Sequence, residues 1–143
     1  AHILASTPRT LSILGATGSI GVNTLDVIGH MGGREAFEIV ALTGSANVAL
    51  LAKQATEHGA RIAVTADERH YSALKEALSG TGIEAAAGRQ ALIDVAAIPA
   101  DITMAAIVGM AGLENRLAKV CKRFWSFNFS SGFFGLSSSS QPP

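Results

Sequence analysis

This 143-residue chain has a single cysteine, a formal net charge of zero and no long uninterrupted apolar run. Cys121 is the only cysteine, which excludes an internal disulfide and leads us to expect a reducing compartment. Eleven basic residues balance eleven acidic ones without a Lys or Arg run, so nucleic acid and anionic membranes are not expected as partners. Every stretch of about 18 apolar residues is interrupted by Gly, Ser or Asn, so we expect no transmembrane helix. A small molecule is the expected partner.

Metal-binding patterns are also missing from the histidines. His2, His30, His58 and His70 are scattered along the chain, without a pair spaced by four residues and without a nearby cysteine cluster. We interpret each as a helix-end or surface residue. The histidines therefore indicate no metal site in this chain.

The most informative stretch joins the apolar run Leu11 to Leu14 to three glycines, Gly15, Gly18 and Gly21, at the start of a helical pattern. Such a turn lets backbone N–H groups and the positive helix N-terminus face one anionic group. We expect Gly18 to lie at the closest backbone approach and to supply any positive φ that the turn needs. The pattern predicts a dinucleotide pyrophosphate site, although Gly-rich turns also end strands for steric reasons alone.

Apolar strand-like runs alternate with helical patterns from residue 10 to about residue 117. We place the strands at residues 11–14, 37–43, 61–66, 83–87 and 102–108. They lack polar alternation, which indicates strands buried on both faces. Short connections between alternating strands and helices predict an α/β fold, a Rossmann-like doubly wound parallel sheet in a single domain over residues 9–118.

Apolar spacing also predicts which side of each helix is buried. Glycines 32–33 should end the first helix, Ser45 or Asn47 should cap the second, Asp67 should cap the third, and the fourth should span 90–97. The expected buried positions are Ile20, Thr24, Val27, Ile28 and Met31 in the first helix, Val48, Leu51, Ala52 and Ala55 in the second, and Tyr71, Leu74 and Leu78 in the third.

Ligands of doubly wound folds lie at the carboxyl ends of the strands. This rule brings three segments together: the turn 15–21, the loop 43–47 and the stretch 105–112. Ser45 and Asn47 offer neutral donors where NAD-specific folds usually place an Asp or Glu, so a 2′-phosphate would not be repelled.

Residues 119–143 differ in character from the rest of the chain. Six of its eight Phe, Trp and Tyr residues follow Arg123, and no charged residue does. The end is low in complexity, with Ser137 to Ser140 and then Gln141-Pro142-Pro143. We expect an irregular tail that is foreign to the domain, as a frameshift or an alternative exon would produce. The alternative is a tail that binds a partner or touches a membrane.

Three blocks of this sequence resemble one enzyme family. They are Arg9 to Gly21 followed by Thr24-Leu25-Asp26, then Val40 to Thr43 with Asn47-Val48, and Met104 to Gly109 with Ala111-Gly112-Leu113. In this order over about 110 residues, they resemble 1-deoxy-D-xylulose 5-phosphate reductoisomerase.

The resemblance implies an NADPH-dependent enzyme of non-mevalonate isoprenoid biosynthesis. The full-length family rearranges and reduces a sugar phosphate to 2-C-methyl-D-erythritol 4-phosphate with a divalent metal, Mg or Mn. The resemblance also implies a homodimer, and a location in a bacterial cytoplasm or a plastid. This chain would be the NADPH-binding domain.

Matching positions assign cofactor-binding residues. The resemblance implies that Thr17, Gly18, Ser19 and Ile20 bind the pyrophosphate and that Asn47 lies near the adenosine end. Hydroxyls at a helix N-terminus suit an anion, since each contact there is favoured by roughly 0.3 to 1 kcal/mol. We add Ser45, beside Asn47, as a further neutral donor.

Two departures from the family pattern qualify the expected function. Ala46 stands where the family usually has the Lys or Arg that pairs with the 2′-phosphate, so we expect only a modest preference for NADPH over NADH. The family's Ala-Asn-Lys-Glu segment and metal-binding carboxylates are absent after about Asn115, so we expect cofactor binding without catalysis. The alternative is a non-catalytic dinucleotide-binding sensor or interaction module.

Two other chemistries match parts of the sequence. Tyr71 and Lys75 have the spacing of the Tyr-x-x-x-Lys pair of short-chain dehydrogenases, but they follow the third strand rather than the fourth or fifth. Cys121 has the basic neighbours of a reactive thiol, but no histidine follows it to act as a base. We expect neither to be catalytic.

Overall fold

The computed structural model describes residues 8–105, 124–128 and 133–137. The strands and helices in these ranges are β1 (Arg9–Leu14), α1 (Ser19–His30), β2 (Phe37–Gly44), α2 (Val48–His58), β3 (Ile62–Thr65), α3 (Tyr71–Ala77), β4 (Glu84–Ala87), α4 (Arg89–Ala96), β5 (Ile102–Ala105), β6 (Phe124–Asn128) and β7 (Phe133–Ser137). Two 3-10 turns, Gly33–Glu35 and Glu68–His70, precede β2 and α3. The predicted alternation of strands and helices is confirmed, with boundaries shifted by a few residues.

The strands form one sheet in the order β4-β3-β2-β1-β5-β6-β7. Every neighbouring pair is parallel except β6 and β7, which are antiparallel. The chain builds outward from β1 to β4, then crosses to the other side of β1 for β5. This is the Rossmann-like doubly wound fold, and its strand order reverses between β1 and β5, where such folds bind their ligands.

Helices cover both faces of the sheet. On one face, α1, α2 and α3 pack over strand residues such as Ile13, Ile39 and Leu42. On the other face, α4 packs over Leu14 and Val64. The apolar runs are therefore strands buried on both sides, as the missing polar alternation predicted.

A bulge interrupts the pairing of β1 with β2. Leu11 pairs with Ile39, but the next residue of β1, Ser12, pairs with Ala41, so Val40 is the extra residue. Val40 and Ala41 consequently pack on the same face, with α4. Beyond the bulge the register is regular again and brings Thr43 opposite Leu14 at the carboxyl ends of the two strands.

The buried side of α1 differs from the predicted stripe. Gly21, Leu25 and Ile28 are buried, whereas Val27 and Met31 are 53% and 59% exposed. The expectation was wrong for these two positions because α1 is apolar over more than half of its circumference, and spacing alone did not show which part meets the sheet.

Tyr71 was also wrongly placed by the sequence pattern. Leu74 and Leu78 are buried as expected, but Tyr71 is exposed at the start of α3. The Lys75 Nζ atom lies over the Tyr71 ring, 5.9 Å from the ring centroid, which is a cation–π arrangement. The Tyr-Lys spacing therefore reflects neighbouring positions on a helix surface.

The expected irregular tail is corrected in two stretches. β6 pairs with β5 in parallel and β7 returns antiparallel to β6, so these segments extend the sheet. Residues 106–123 lie outside the described ranges, including Cys121, and so does His2. Among the described helices, none combines the length and the apolar character needed to cross a bilayer.

Two glycines of α1 provide a matched test of how closely the helix packs on the turn before it. A Cβ built on Gly21 would lie 2.6 Å from the Ala16 carbonyl oxygen and closer still to that of Gly15, whereas one on Gly29 meets nothing within 4 Å. Gly21→Ala should lower the free energy of unfolding by about 1–3 kcal/mol through overpacking. Gly29→Ala should raise it by about 0.5–1 kcal/mol through helix propensity. Urea denaturation measures both, and equal effects would contradict the close approach.

Candidate functional site

The connection from β1 to α1 is a tight turn. Gly15 has φ of +96°, a conformation that glycine adopts without strain, and its carbonyl accepts a 3.4 Å hydrogen bond from the Gly18 N–H. Gly18 itself has φ of −76°, so the expected positive φ lies at Gly15 and not at Gly18. A Cβ on Gly18 would meet only the Gly15 oxygen, at 3.7 Å. Space within the protein therefore does not explain the glycine at position 18.

The start of α1 is an open helix N-terminus. Gly18 is the N-cap, no side chain caps the helix, and its first turn holds no acidic residue. Gly18 and Ser19 are exposed, and Thr17 and Ile20 are half-buried. The first N–H groups of a helix have no partner within it and carry a positive partial charge. This end of α1 can therefore hold an anion.

Thr43, at the end of β2, anchors the turn from the sheet side. The Gly15 N–H is shared between the Thr43 carbonyl, at 3.2 Å, and the Thr43 hydroxyl oxygen, at 2.9 Å. The Ala16 N–H donates to the same carbonyl at 2.7 Å. Because Thr43 is almost fully buried, water does not compete for these bonds. The two amides that begin the turn are thus fixed to β2.

Gln54, on α2, anchors the turn from the helix side. Its Nε2 donates to the Ala16 carbonyl oxygen at 2.8 Å, and the side chain is buried. The sequence prediction included Thr43 in the loop 43–47 without its anchoring role, and it missed Gln54. A signal for Gln54 was present, since it is a polar residue between the buried positions Leu51 and Ala55 of α2.

The loop after β2 lies directly beside the turn. A Cβ built on Gly44 would come within 3.0 Å of the Cγ2 and Oγ1 atoms of Thr17, so the missing side chain makes room for that threonine. Ser45, Ala46 and Asn47 follow and are exposed. The structure thus brings two of the three predicted segments together. The third, 105–112, is described only at Ala105, which pairs with Leu14.

Asn47 caps α2, one of the two N-caps that the sequence allowed. Its Oδ1 accepts a 3.2 Å hydrogen bond from the Leu50 N–H, while Ser45 does not cap the helix. The cap occupies the acceptor oxygen of the amide, and the Nδ2 group keeps its two donors. Asn47 can therefore stabilise α2 and still donate to a ligand.

A pair of opposite charges follows the neighbouring strand β3, whose end is joined to this loop. Asp67 follows β3, and hydrogen bonds from Arg69 hold the pKa of its carboxyl down at about 2. The Arg69 Nη2 atom lies 2.7 Å from Asp67 Oδ2, so this carboxylate is already paired. Thr65, at the end of β3, donates its hydroxyl to the Ser45 carbonyl at 2.7 Å and ties the two loops together.

Metal ligands do not cluster in the part of the chain that the structure describes. No group of three or more His, Cys, Asp or Glu residues comes together there. His30 and His58 end α1 and α2, as expected, and burial lowers the pKa of His58. Asp101 precedes β5, at the sheet edge opposite the turn, where it accepts a 3.0 Å hydrogen bond from the Thr10 N–H.

Comparison with known proteins gives a consistent result. The family model of 1-deoxy-D-xylulose 5-phosphate reductoisomerase matches residues 11–123. The reductoisomerase of Rhizobium rhizogenes is 67% identical over 109 residues, 76% of this chain, and that of Allorhizobium ampelinum is 60% identical over 117 residues, 82% of it. The chain spans 28% and 30% of the length of these relatives.

Solved structures of the same enzyme share the fold. The Zymomonas mobilis reductoisomerase in complex with NADPH is 50% identical, with a TM-score of 0.70 over 74% of this chain and 28% of its own. A reductoisomerase in complex with NADPH, fosmidomycin and magnesium is 36% identical, with a TM-score of 0.66 over 73% of this chain and 26% of its own.

Substitutions at Asn47 test its capping role. Asn47→Ala removes the oxygen that accepts from Leu50 and should lower the free energy of unfolding by about 0.5–2 kcal/mol. Asn47→Asp keeps an acceptor there and places a negative charge at a helix N-terminus, so stability should be unchanged or slightly higher. Thermal denaturation measures both variants, and equal losses would show that the cap contributes nothing.

Proposed function

Because the chain belongs to the 1-deoxy-D-xylulose 5-phosphate reductoisomerase family, we propose that it is the NADPH-binding domain of such an enzyme. The pyrophosphate of the cofactor binds at the start of α1. The observation that carries the proposal is the helix N-terminus at Gly18, which is uncapped, exposed and without an acidic residue. Family membership favours this function over a non-catalytic sensor module.

The residues at the turn suit a pyrophosphate. We assign the contacts to the N–H groups and hydroxyls of Thr17 and Ser19 and to the N–H of Ile20. The Gly18 N–H already donates to the Gly15 carbonyl oxygen. Gly18 therefore contributes space for the pyrophosphate, because a side chain at this position would occupy the volume at the end of the helix.

The adenosine end of the cofactor is assigned to the loop after β2. Ser45 and Asn47 are exposed donors in the loop that follows Gly44, the residue packed against Thr17. The loop 43–47 carries no carboxylate, so the 2′-phosphate of NADPH is tolerated, and Ala46 gives it no cationic partner. NADPH is therefore preferred over NADH only modestly.

For the full-length protein we propose the reaction of its family, reduction and rearrangement of a sugar phosphate, with a homodimer in a bacterial cytoplasm as the working form. Bound NADPH supplies the hydride. This chain's own residues bind and orient the cofactor, and its described residues do not fit a divalent metal. We expect binding by this chain without turnover.

The first test of this function is Gly18→Val. The backbone angles at Gly18, φ −76° and ψ 169°, suit a β-branched residue, and a Cβ there has room within the protein. The variant should therefore fold normally, but its methyl groups would occupy the pyrophosphate position. We expect loss of detectable NADPH binding in a calorimetric titration.

Gly29→Val is the matched control, since it adds the same side chain to an open position of α1 far from the turn. It should bind NADPH like the unmodified chain. Unchanged affinity in a folded Gly18→Val protein would disprove the pyrophosphate assignment.

A second test concerns cofactor preference at Ala46. An arginine at this exposed position can form one charge-assisted contact with the 2′-phosphate, on the order of 1.5–3 kcal/mol. Ala46→Arg should tighten NADPH binding by that amount and leave NADH binding nearly unchanged. Ala46→Gln, long but neutral, should change neither affinity much. Equal gains for both cofactors in a calorimetric comparison would mean that the loop does not face the 2′-phosphate.

A further inference from the structure

We propose that Gln54 is a positioning residue for cofactor binding, an inference that rests on the proposed function. The side-chain amide of Gln54 directs the Thr17 N–H toward the pyrophosphate. Gln54 lies on the inner side of α2 and is 6% exposed. It is the one polar side chain among the buried residues of that helix. Nothing in the family resemblance assigned it a role.

The orientation of the Gln54 amide follows from its surroundings. Nε2 donates to the Ala16 carbonyl oxygen at 2.8 Å, while Oε1 is buried and has no hydrogen-bond partner among the described residues. Flipping the amide would place two acceptor oxygens against each other, so the donor must face Ala16. A leucine or methionine would fit the apolar surroundings without a buried unpaired oxygen. What the glutamine contributes at this position is therefore its single donated hydrogen bond.

That bond acts on a peptide plane that matters for the cofactor. The Ala16 carbonyl belongs to the same peptide as the Thr17 N–H, and no cis peptide occurs among the described residues. In a trans peptide the C=O and N–H bonds point in opposite directions. Gln54 draws the carbonyl toward α2 and so directs the Thr17 N–H away from α2. The preceding peptide is held separately, by the bond from the Ala16 N–H to Thr43.

Loss of the Gln54 donor should therefore weaken cofactor binding in a protein that remains folded. Gln54→Met has a similar volume and no donor, and we expect its NADP⁺ affinity to fall about tenfold or more, the equivalent of one charge-assisted hydrogen bond. Lys53→Met is the matched control, because it makes the same replacement at the neighbouring exposed position of α2. It should bind like the unmodified chain.

Gln54→Glu separates positioning from simple packing. A glutamic acid carboxyl has the shape of the amide, and only its protonated form can donate to the Ala16 oxygen. Burial raises the pKa of such a carboxyl, so the carboxyl gains its proton within the pH range in which binding can be measured. Relative to the unmodified chain at each pH, the variant should bind NADP⁺ about tenfold more weakly at pH 8 and recover toward pH 5. NADP⁺ is the probe at every pH, and circular dichroism checks that each protein is folded.

The outcomes separate this inference from the proposed function. If the unmodified chain does not bind NADP⁺, the proposed function fails. If the unmodified chain and Lys53→Met bind and folded Gln54→Met binds equally well, the positioning role is overturned and the function stands. Should Gln54→Met not fold, the Gln54→Glu series decides: recovery on acidification supports the role, and a ratio that stays flat with pH overturns it.

Discussion

The whole site depends on one requirement, which is that the turn after β1 must leave some of its N–H groups without a protein partner while burying the rest of its backbone. Buried backbone groups need hydrogen bonds. The structure provides these hydrogen bonds from two sides. Thr43 accepts from the N–H groups of Gly15 and Ala16, and Gln54 donates to the Ala16 carbonyl. The first turn of α1 can then remain open to solvent and to an anion.

The loop after β2 is placed by the same contacts. Thr43 is at once the anchor of the turn and the beginning of the loop, so the two segments cannot move apart without breaking its bonds. Asn47 then fixes the far end of the loop to α2 through its helix cap. Two supports of the turn and the loop, Thr43 and Gln54, lie in the first two strand–helix units of the sheet, which explains why a chain spanning 28% of a relative's length can hold the complete turn.

The sequence predicted the order of strands and helices well, because each strand is an apolar run between clear helix stops such as Gly32 and Gly59. The buried face of α1 was less predictable, since Val27 and Met31 are as apolar as the residues that meet the sheet. The strands β6 and β7 were missed because the aromatic residues of this segment show no regular alternation in the sequence. Backbone groups pair β6 with β5 and β7 with β6, and the side-chain pattern does not reveal this pairing.

Residues that support the site were the hardest to predict. Thr43 reads as the end of an apolar strand, and its hydroxyl acquires a partner only when the sheet brings β1 alongside. Gln54 is 38 residues from the carbonyl that it holds. Local spacing identifies groups that face a ligand, because they occur together in a turn, but not the distant side chains that hold the turn in shape.

The bulge at Val40 adds one residue of length to β2 without changing which side chains reach the ligand-binding end of the sheet. Side chains normally alternate between the two faces of a strand, but Val40 and Ala41 lie on the same face, so the alternation starts again at Ala41. With Val40 removed, the residues on either side of it would pair with consecutive residues of β1, and Leu42 and Thr43 would keep their present partners and faces. β2 could therefore lose this one residue and still present the Thr43 hydroxyl to the turn. The loss of a second residue between Ile39 and Thr43 would turn Thr43 to the opposite face of the sheet.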